Sequence, residues 1–212
     1  MKKKVVIIIP IIIIIIIASI GIYFLYRFGF FFSAGGRYDD TNLNYMGVIY
    51  ENQSDIHAFN EGFSTSDSCP WGFVHNGIDY FFNNNSDVIA AAPGQVWSIE
   101  MRENEGENKY MIRIWIRYNN TTEIGYNFEP WTTHASDRDL QNIMFQVKEG
   151  DWVQKGDVIA RFLQCNESAH IHFDIVENGN RYCPVKYFSL DDYNELLTLI
   201  HFYHPAWNLC YP

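Results

Sequence analysis

The segment 110–118, Tyr-Met-Ile-Arg-Ile-Trp-Ile-Arg-Tyr, alternates with a period of two, which suits a β-strand and no helix. Ile112, Ile114 and Ile116 fall on one face, and Arg113 and Arg117 on the other, so one side of the strand belongs in a core and the other does not. From residue 71 onward the same grammar recurs. Further strands are predicted over 88–91, 95–100, 123–128, 143–147, 158–162 and 169–176, with Gly94, Gly150 and Gly156 at the breaks. One segment beyond residue 34 reads as helix: Ser189-Leu-Asp-Asp192 resembles a capping box, with Asp in the usual Glu or Gln place, ahead of Leu196, Leu197 and Ile200. The expected body is therefore all-β, an antiparallel sheet core with one short C-terminal helix.

Residues 5–32 are an almost unbroken apolar run interrupted by Pro10, long enough to cross a bilayer as one helix. No clear small-x-small cleavage site follows it, so the run is expected to be an uncleaved N-terminal transmembrane signal anchor over 1–34. Lys2, Lys3 and Lys4 precede it, which predicts a single pass with a cytoplasmic N-terminus and an extracytoplasmic C-terminal domain. Residues 35–70 are polar and irregular and read as a stalk, 71–190 as the β domain, and 191–212 as a C-terminal helix and tail. Cys69, Cys165, Cys183 and Cys210 fit an exported, disulfide-forming body, with Cys69–Cys165 and Cys183–Cys210 one of three possible pairings. Asn-x-Ser/Thr sequons at Asn52, Asn84, Asn119, Asn120 and Asn166 agree with export. A formal charge of −10 with no basic stripe argues against nucleic acid as a partner.

Two short histidine pairings carry the chemistry: His75-Asn-Gly-Ile-Asp79 and His170-Ile-His172. In an extended strand the even spacing turns His170 and His172 to one face, and His75 and Asp79 likewise. Two imidazoles and one carboxylate, with a fourth position left to water, are an accepted catalytic zinc set.

Four motifs in order, His75-Asn-Gly-Ile-Asp79, Val88-Ile-Ala-Ala-Ala-Pro-Gly94-Gln-Val96, the hairpin 147–159 and His170-Ile-His-Phe-Asp-Ile175, resemble those of the lysostaphin/LytM-like zinc endopeptidases. The resemblance spans roughly 71–188. It implies Zn2+ bound by His75, Asp79 and His172, with His170 catalytic, and hydrolysis of peptide bonds in a peptidoglycan-like cell-wall or surface polymer. The Gly-Asp-x-Val-x-x-Gly-Asp-x-Ile pattern of the hairpin also occurs in lipoyl-like domains, so a barrel-sandwich (duplicated hybrid motif) character is expected. Secretion adaptors share that hairpin and an anchor, but the heptad helices they carry are missing over 95–148.

Two departures leave catalysis open. Active members of that family carry a further histidine in a Tyr-x-His-Leu strand, where Tyr126-Asn-Phe128-Glu129 stands here; His134, six residues on, is the candidate to return to the cleft, with Glu129 the alternative base. The family's Gly-x-Thr-Gly loop is replaced by 163–168. A catalytically degenerate module that holds zinc and binds or regulates without hydrolysis is the alternative reading. Asp174, on the same even-spaced face, is a candidate to orient a ligand imidazole.

Overall fold

A computed structural model describes the backbone of residues 2–27, side chains within that stretch from 11 to 23, and residues 42–212. The chain divides into two units, Met1–Asp39 and Asp40–Pro212. In the first, helix α1 covers Lys2–Arg27. The expected membrane anchor is not borne out: among the described residues no helix is long and apolar enough to cross a membrane. The single-pass, extracytoplasmic placement rested on that anchor and is withdrawn with it. The side chains of Lys2, Lys3 and Lys4, and residues 35–41 of the expected stalk, lie outside the described residues.

The second unit runs β1 (Ile56–Phe59), β2 (Phe63–Ser64), β3 (Ile78–Phe82), β4 (Asp87–Ile89), β5 (Gly94–Glu103), β6 (Tyr110–Arg117), β7 (Thr122–Glu129), α2 (Ala135–Ile143), β8 (Trp152–Val153), β9 (Val158–Arg161), β10 (His170–Glu177), β11 (Asn180–Arg181), α3 (Leu190–Tyr203) and β12 (Cys210–Tyr211). Its main sheet has the order β1-β3-β10-β7-β6-β5-β8, with β11 attached to β10, and its pairings are antiparallel. Two small sheets accompany it, β4 with β9 antiparallel and β12 with β2 parallel.

Alternation dictates which face of this sheet is the core. Ile112, Ile114, Ile116, Tyr126, Phe128, Ile171, Phe173 and Ile175 are buried in one cluster with Val88, Ile159, Ala160, Leu196 and Ile200. A one-residue slip of β6 would carry its three isoleucines out of that cluster, at roughly 1.5–3 kcal/mol each, and drive Arg113 and Arg117 in. The register is therefore strongly specified, and the opposite face of β3, β7 and β10 is left for polar side chains.

Three expectations need correcting. Leu43, Met46, Ile49, Tyr50, Ile56 and Phe59 are buried in the same core, so the described part of the expected stalk belongs to the domain. Segment 143–147 is no strand; α2 runs to Ile143 and Phe145 makes only an isolated bridge to Ala160. That helix hid because it is anchored by a polar residue: Gln141, buried, donates to the Arg161 carbonyl at 2.7 Å and accepts from the Leu163 N–H at 2.8 Å. Finally, Cys183 and Cys210 are bridged while Cys69 and Cys165 are free thiols. The helix predicted from Ser189 is present, with the Ser189 side chain accepting from the Asp192 N–H at 3.1 Å.

Candidate metal centre

His172 of β10 lies directly opposite Asp79 of β3, and opposed residues on neighbouring strands share a face. His75 reaches the same point from the loop ahead of β3. Its backbone is clasped by β2, with the Ser64 N–H donating to the His75 carbonyl at 2.7 Å and the His75 N–H donating to the Ser64 carbonyl at 3.2 Å and hydroxyl at 2.9 Å. The three candidate donor atoms then converge. His75 Nε2 is 3.0 Å from His172 Nδ1, His172 Nδ1 is 2.8 Å from Asp79 Oδ1, and His75 Nε2 is 3.2 Å from the same oxygen.

Each imidazole is turned so that its other nitrogen is occupied. His75 Nδ1 lies 2.7 Å from the Gly62 carbonyl, which can only accept, so Nδ1 carries the proton and Nε2 presents its lone pair. His172 Nε2, 3.1 Å from Asn76 Oδ1, likewise donates and leaves Nδ1 free. Two lone pairs and a carboxylate oxygen thus face one another in a largely buried spot, an arrangement that requires a cation at its centre. Zinc suits it: ligand bonds of about 2.0–2.1 Å at tetrahedral angles separate neighbouring donors by about 3.3 Å, close to what is found. These three residues form the group able to hold a metal ion among the described residues.

Without metal a proton serves the same end. Burial works against a charged His75, but the hydrogen bond and charge of Asp79 outweigh it and raise its pKa to about 9. Burial also opposes ionisation of Asp79, yet the charge of His170 and the hydrogen bonds shared with His172 and His75 hold its carboxyl well below the ordinary range. Glu61, on the cleft wall, is pushed up to about 7 by burial and then by the Asp79 charge.

Gly77, between His75 and Asp79, is required by close approach. A Cβ there would lie 2.6 Å from His172 Nε2 and 2.6 Å from the Phe173 carbonyl oxygen.

The cleft over this group has a volume of about 510 Å³, and its walls include Glu61, Phe73, Phe81, Glu129, Trp131 and His170. His170 stands beside the metal group and outside it. Its Nδ1 donates to the Ser168 carbonyl at 2.8 Å, so Nε2 faces the cleft with a lone pair, 3.5 Å from Asp79 Oδ2 and 3.6 Å from Glu129 Oε2.

His134 does not join them. It is exposed at the amino end of α2, its N–H donates to Thr132 Oγ1 at 3.0 Å, and it is not among the residues lining the cleft. Phe128 is equally remote from the chemistry, buried against Phe145 and Phe162. The residues of β7 that share the face of the histidines are Asn127, opposite His172, and Glu129, opposite His170. Asp174 keeps the face but pairs with Arg181, not with a ligand imidazole. Sequence reasoning missed Glu61 and the orienting partners Gly62 and Asn76; Asn76 alone had a signal, its place inside the first motif.

An imidazole–carboxylate–imidazole group with a further histidine beside it, open to a cleft on an antiparallel sheet, is the arrangement of a zinc-dependent metallopeptidase. The chain belongs to peptidase family M23, whose family model matches residues 73–184. Among solved structures it is similar to a zinc-containing peptidase from Vibrio cholerae, at 18% identity over 69% of this chain and 40% of that one, with a TM-score of 0.46. It is also similar to the catalytic domain of lysostaphin from Staphylococcus simulans, at 19% identity over 62% of this chain and 91% of that one, TM-score 0.40. Helicobacter pylori Csd3 gives 17% identity over 77% of this chain and 44% of that one, TM-score 0.45. The chain thus spans less than half the length of the first and third of these. No curated protein matches it.

Proposed function

We propose that this domain is a zinc endopeptidase that hydrolyses peptide bonds in a cell-wall or surface polymer, with His75, Asp79 and His172 holding the metal. The observation that carries the reading is the convergence of two lone pairs and a carboxylate at 2.8–3.2 Å in the floor of an open cleft. Bound there, zinc supplies a Lewis acid and brings the pKa of a coordinated water toward about 7.

The chain's own residues supply the rest. His170, fixed as the Nδ1–H tautomer by the Ser168 carbonyl, offers Nε2 as the proton acceptor. As the water oxygen bonds to the peptide carbon, its O–H bond breaks, the proton moves to His170 Nε2 and the carbonyl π pair moves onto the carbonyl oxygen. Collapse of that tetrahedral species restores the C=O bond and breaks C–N, and the proton on Nε2 passes to the leaving nitrogen. The products are a carboxylate and an amine.

The exclusion of His134 from the cleft favours a second reading, a family member that holds zinc without turnover. One experiment separates the two. Residues 40–212 and their Asp79→Ala variant are compared for bound zinc and for release of new amines from wall polymers. The peptidase reading expects one zinc and amine release from the parent and neither from the variant; equal zinc in both sinks the metal assignment, and zinc without amine release in the parent marks the non-hydrolytic reading.

A further inference from the structure

Glu129 closes β7 on the cleft side of the sheet, opposite His170. Its side chain is only 15% exposed, and both carboxylate oxygens are engaged. Asn108 Nδ2 donates to Oε2 at 2.5 Å, and Asn127 Nδ2 donates to Oε1. Amide donors on both oxygens fix the carboxylate plane. On the same face the buried Arg113 of β6 stands opposite Asn127. A carboxylate so held, away from the metal donors and facing a histidine 3.6 Å off, is more than a solvated strand end.

We propose that Glu129 is a positioning residue for the hydrolytic step, holding the His170 ring in line with the cleft and stabilising the positive charge it acquires on taking the proton of the attacking water. This rests on the peptidase reading given above. His170 Nε2 lies between two carboxylates, Asp79 Oδ2 at 3.5 Å and Glu129 Oε2 at 3.6 Å. Asp79 is shared with His75 and His172 and has its charge spent on the metal group. Among the described residues Glu129 is the carboxylate outside the metal group that stands close to His170 Nε2, at 3.6 Å, placed to answer the charge that appears on His170 during turnover and disappears when the proton reaches the amine. The proton travels from the water to Nε2 and from Nε2 to the amine, and Glu129 gains or loses none. Asn108 and Asn127 serve as the clamp that keeps the 3.6 Å approach constant.

The test uses the zinc-loaded full chain with a wall-polymer or oligoglycine substrate. Glu129→Gln is expected to lower kcat by about 10- to 100-fold, the order found when an outer partner of a site group is removed, with KM and zinc stoichiometry unchanged. Asn108→Ala, which frees one oxygen and leaves the carboxylate in place, is expected to give a smaller loss. Formate added to Glu129→Ala is expected to restore part of kcat in a concentration-dependent way, which a merely structural role would not produce. An active parent with an equally active Glu129→Gln overturns the role while leaving the peptidase reading intact. Loss of zinc in Glu129→Gln, or no recovery with formate, also overturns it by making the residue structural. A parent with zinc and no turnover overturns this role and the peptidase reading together.

Discussion

Gly77→Ala tests whether close approach, and not chain flexibility, explains the glycine between His75 and Asp79. The added methyl would meet His172 Nε2 and the Phe173 carbonyl oxygen at 2.6 Å and His172 Cε1 at 2.7 Å. Ordinary contact lies near 3.5 Å, so about 0.9 Å must be recovered. The Phe173 carbonyl cannot give easily, because β10 is paired with β3 at that residue and with β7 on its other side. The imidazole must move instead, which breaks its 3.1 Å contact with Asn76 and swings Nδ1 away from Asp79. Overpacking of this kind costs about 1–3 kcal/mol. The reduced entropy of the unfolded chain returns only about 0.4–1 kcal/mol, so the steric term wins. At about 1.4 kcal/mol per tenfold, a cost borne by the site weakens zinc binding by about 5- to 150-fold. Competition with a colorimetric chelator reads the zinc Kd, and thermal unfolding of the metal-free protein reads any part of the cost borne by the fold. A zinc Kd within twofold of the parent together with an unchanged melting temperature would refute the steric account.

Two further outcomes follow from the same geometry. With the His75 pKa raised from 6.5 to about 9 in the metal-free protein, zinc must displace a proton at pH 7, and calorimetry in two buffers of different ionisation enthalpy should report about one proton released; identical heats would contradict it. The sign for stability is the corresponding one: His75 contributes stability that is fully present below pH 6.5 and lost as pH rises through about 9, so the metal-free protein should weaken toward alkaline pH more than His75→Ala does. The Cys183–Cys210 bridge, 27 residues apart in sequence, should contribute about 3.5 kcal/mol through loop closure. It also holds β12 against β2, and β2 clasps His75. Reduction, or Cys210→Ser, is therefore expected to lower both the unfolding midpoint and zinc affinity, and a loss of stability with zinc affinity unchanged would break the link from the tail to the ligand.

How much of this was legible depended on where the signal resided. Period-two alternation placed β6 within a residue, and strand geometry turned the even spacing of His170 and His172 into a shared face with Asp79, whereas His75 reaches the cleft from the loop ahead of β3. Segment 42–70 failed for the opposite reason. Its buried residues, Leu43, Met46, Ile49, Tyr50, Ile56 and Phe59, are spread among polar neighbours without a period, and their burial comes from contacts distant in sequence. Helix α2 was invisible because a buried glutamine, rather than an apolar stripe, fastens it. Glu61 could not have been picked out, since only the fold brings it to the cleft wall.

The most instructive failure concerns parity on β7. Matching Tyr126-Asn-Phe128 to a Tyr-x-His pattern assumes that odd and even positions keep their faces, yet Tyr126 and Phe128 are both buried here in the core cluster. Tyr126 is committed there by a hydrogen bond, its hydroxyl accepting from the Ala91 N–H at 2.7 Å, and Phe128 by its contacts with Phe145 and Phe162. With those two fixed inward, Asn127 and Glu129 can only face the histidines, and the register opposite His172 and His170 follows. The position to compare with a cleft histidine is thus Glu129, one residue beyond the motif match. Phe128 then says nothing about catalysis, and the question passes to whether a clamped carboxylate can do beside His170 what a second imidazole would do there.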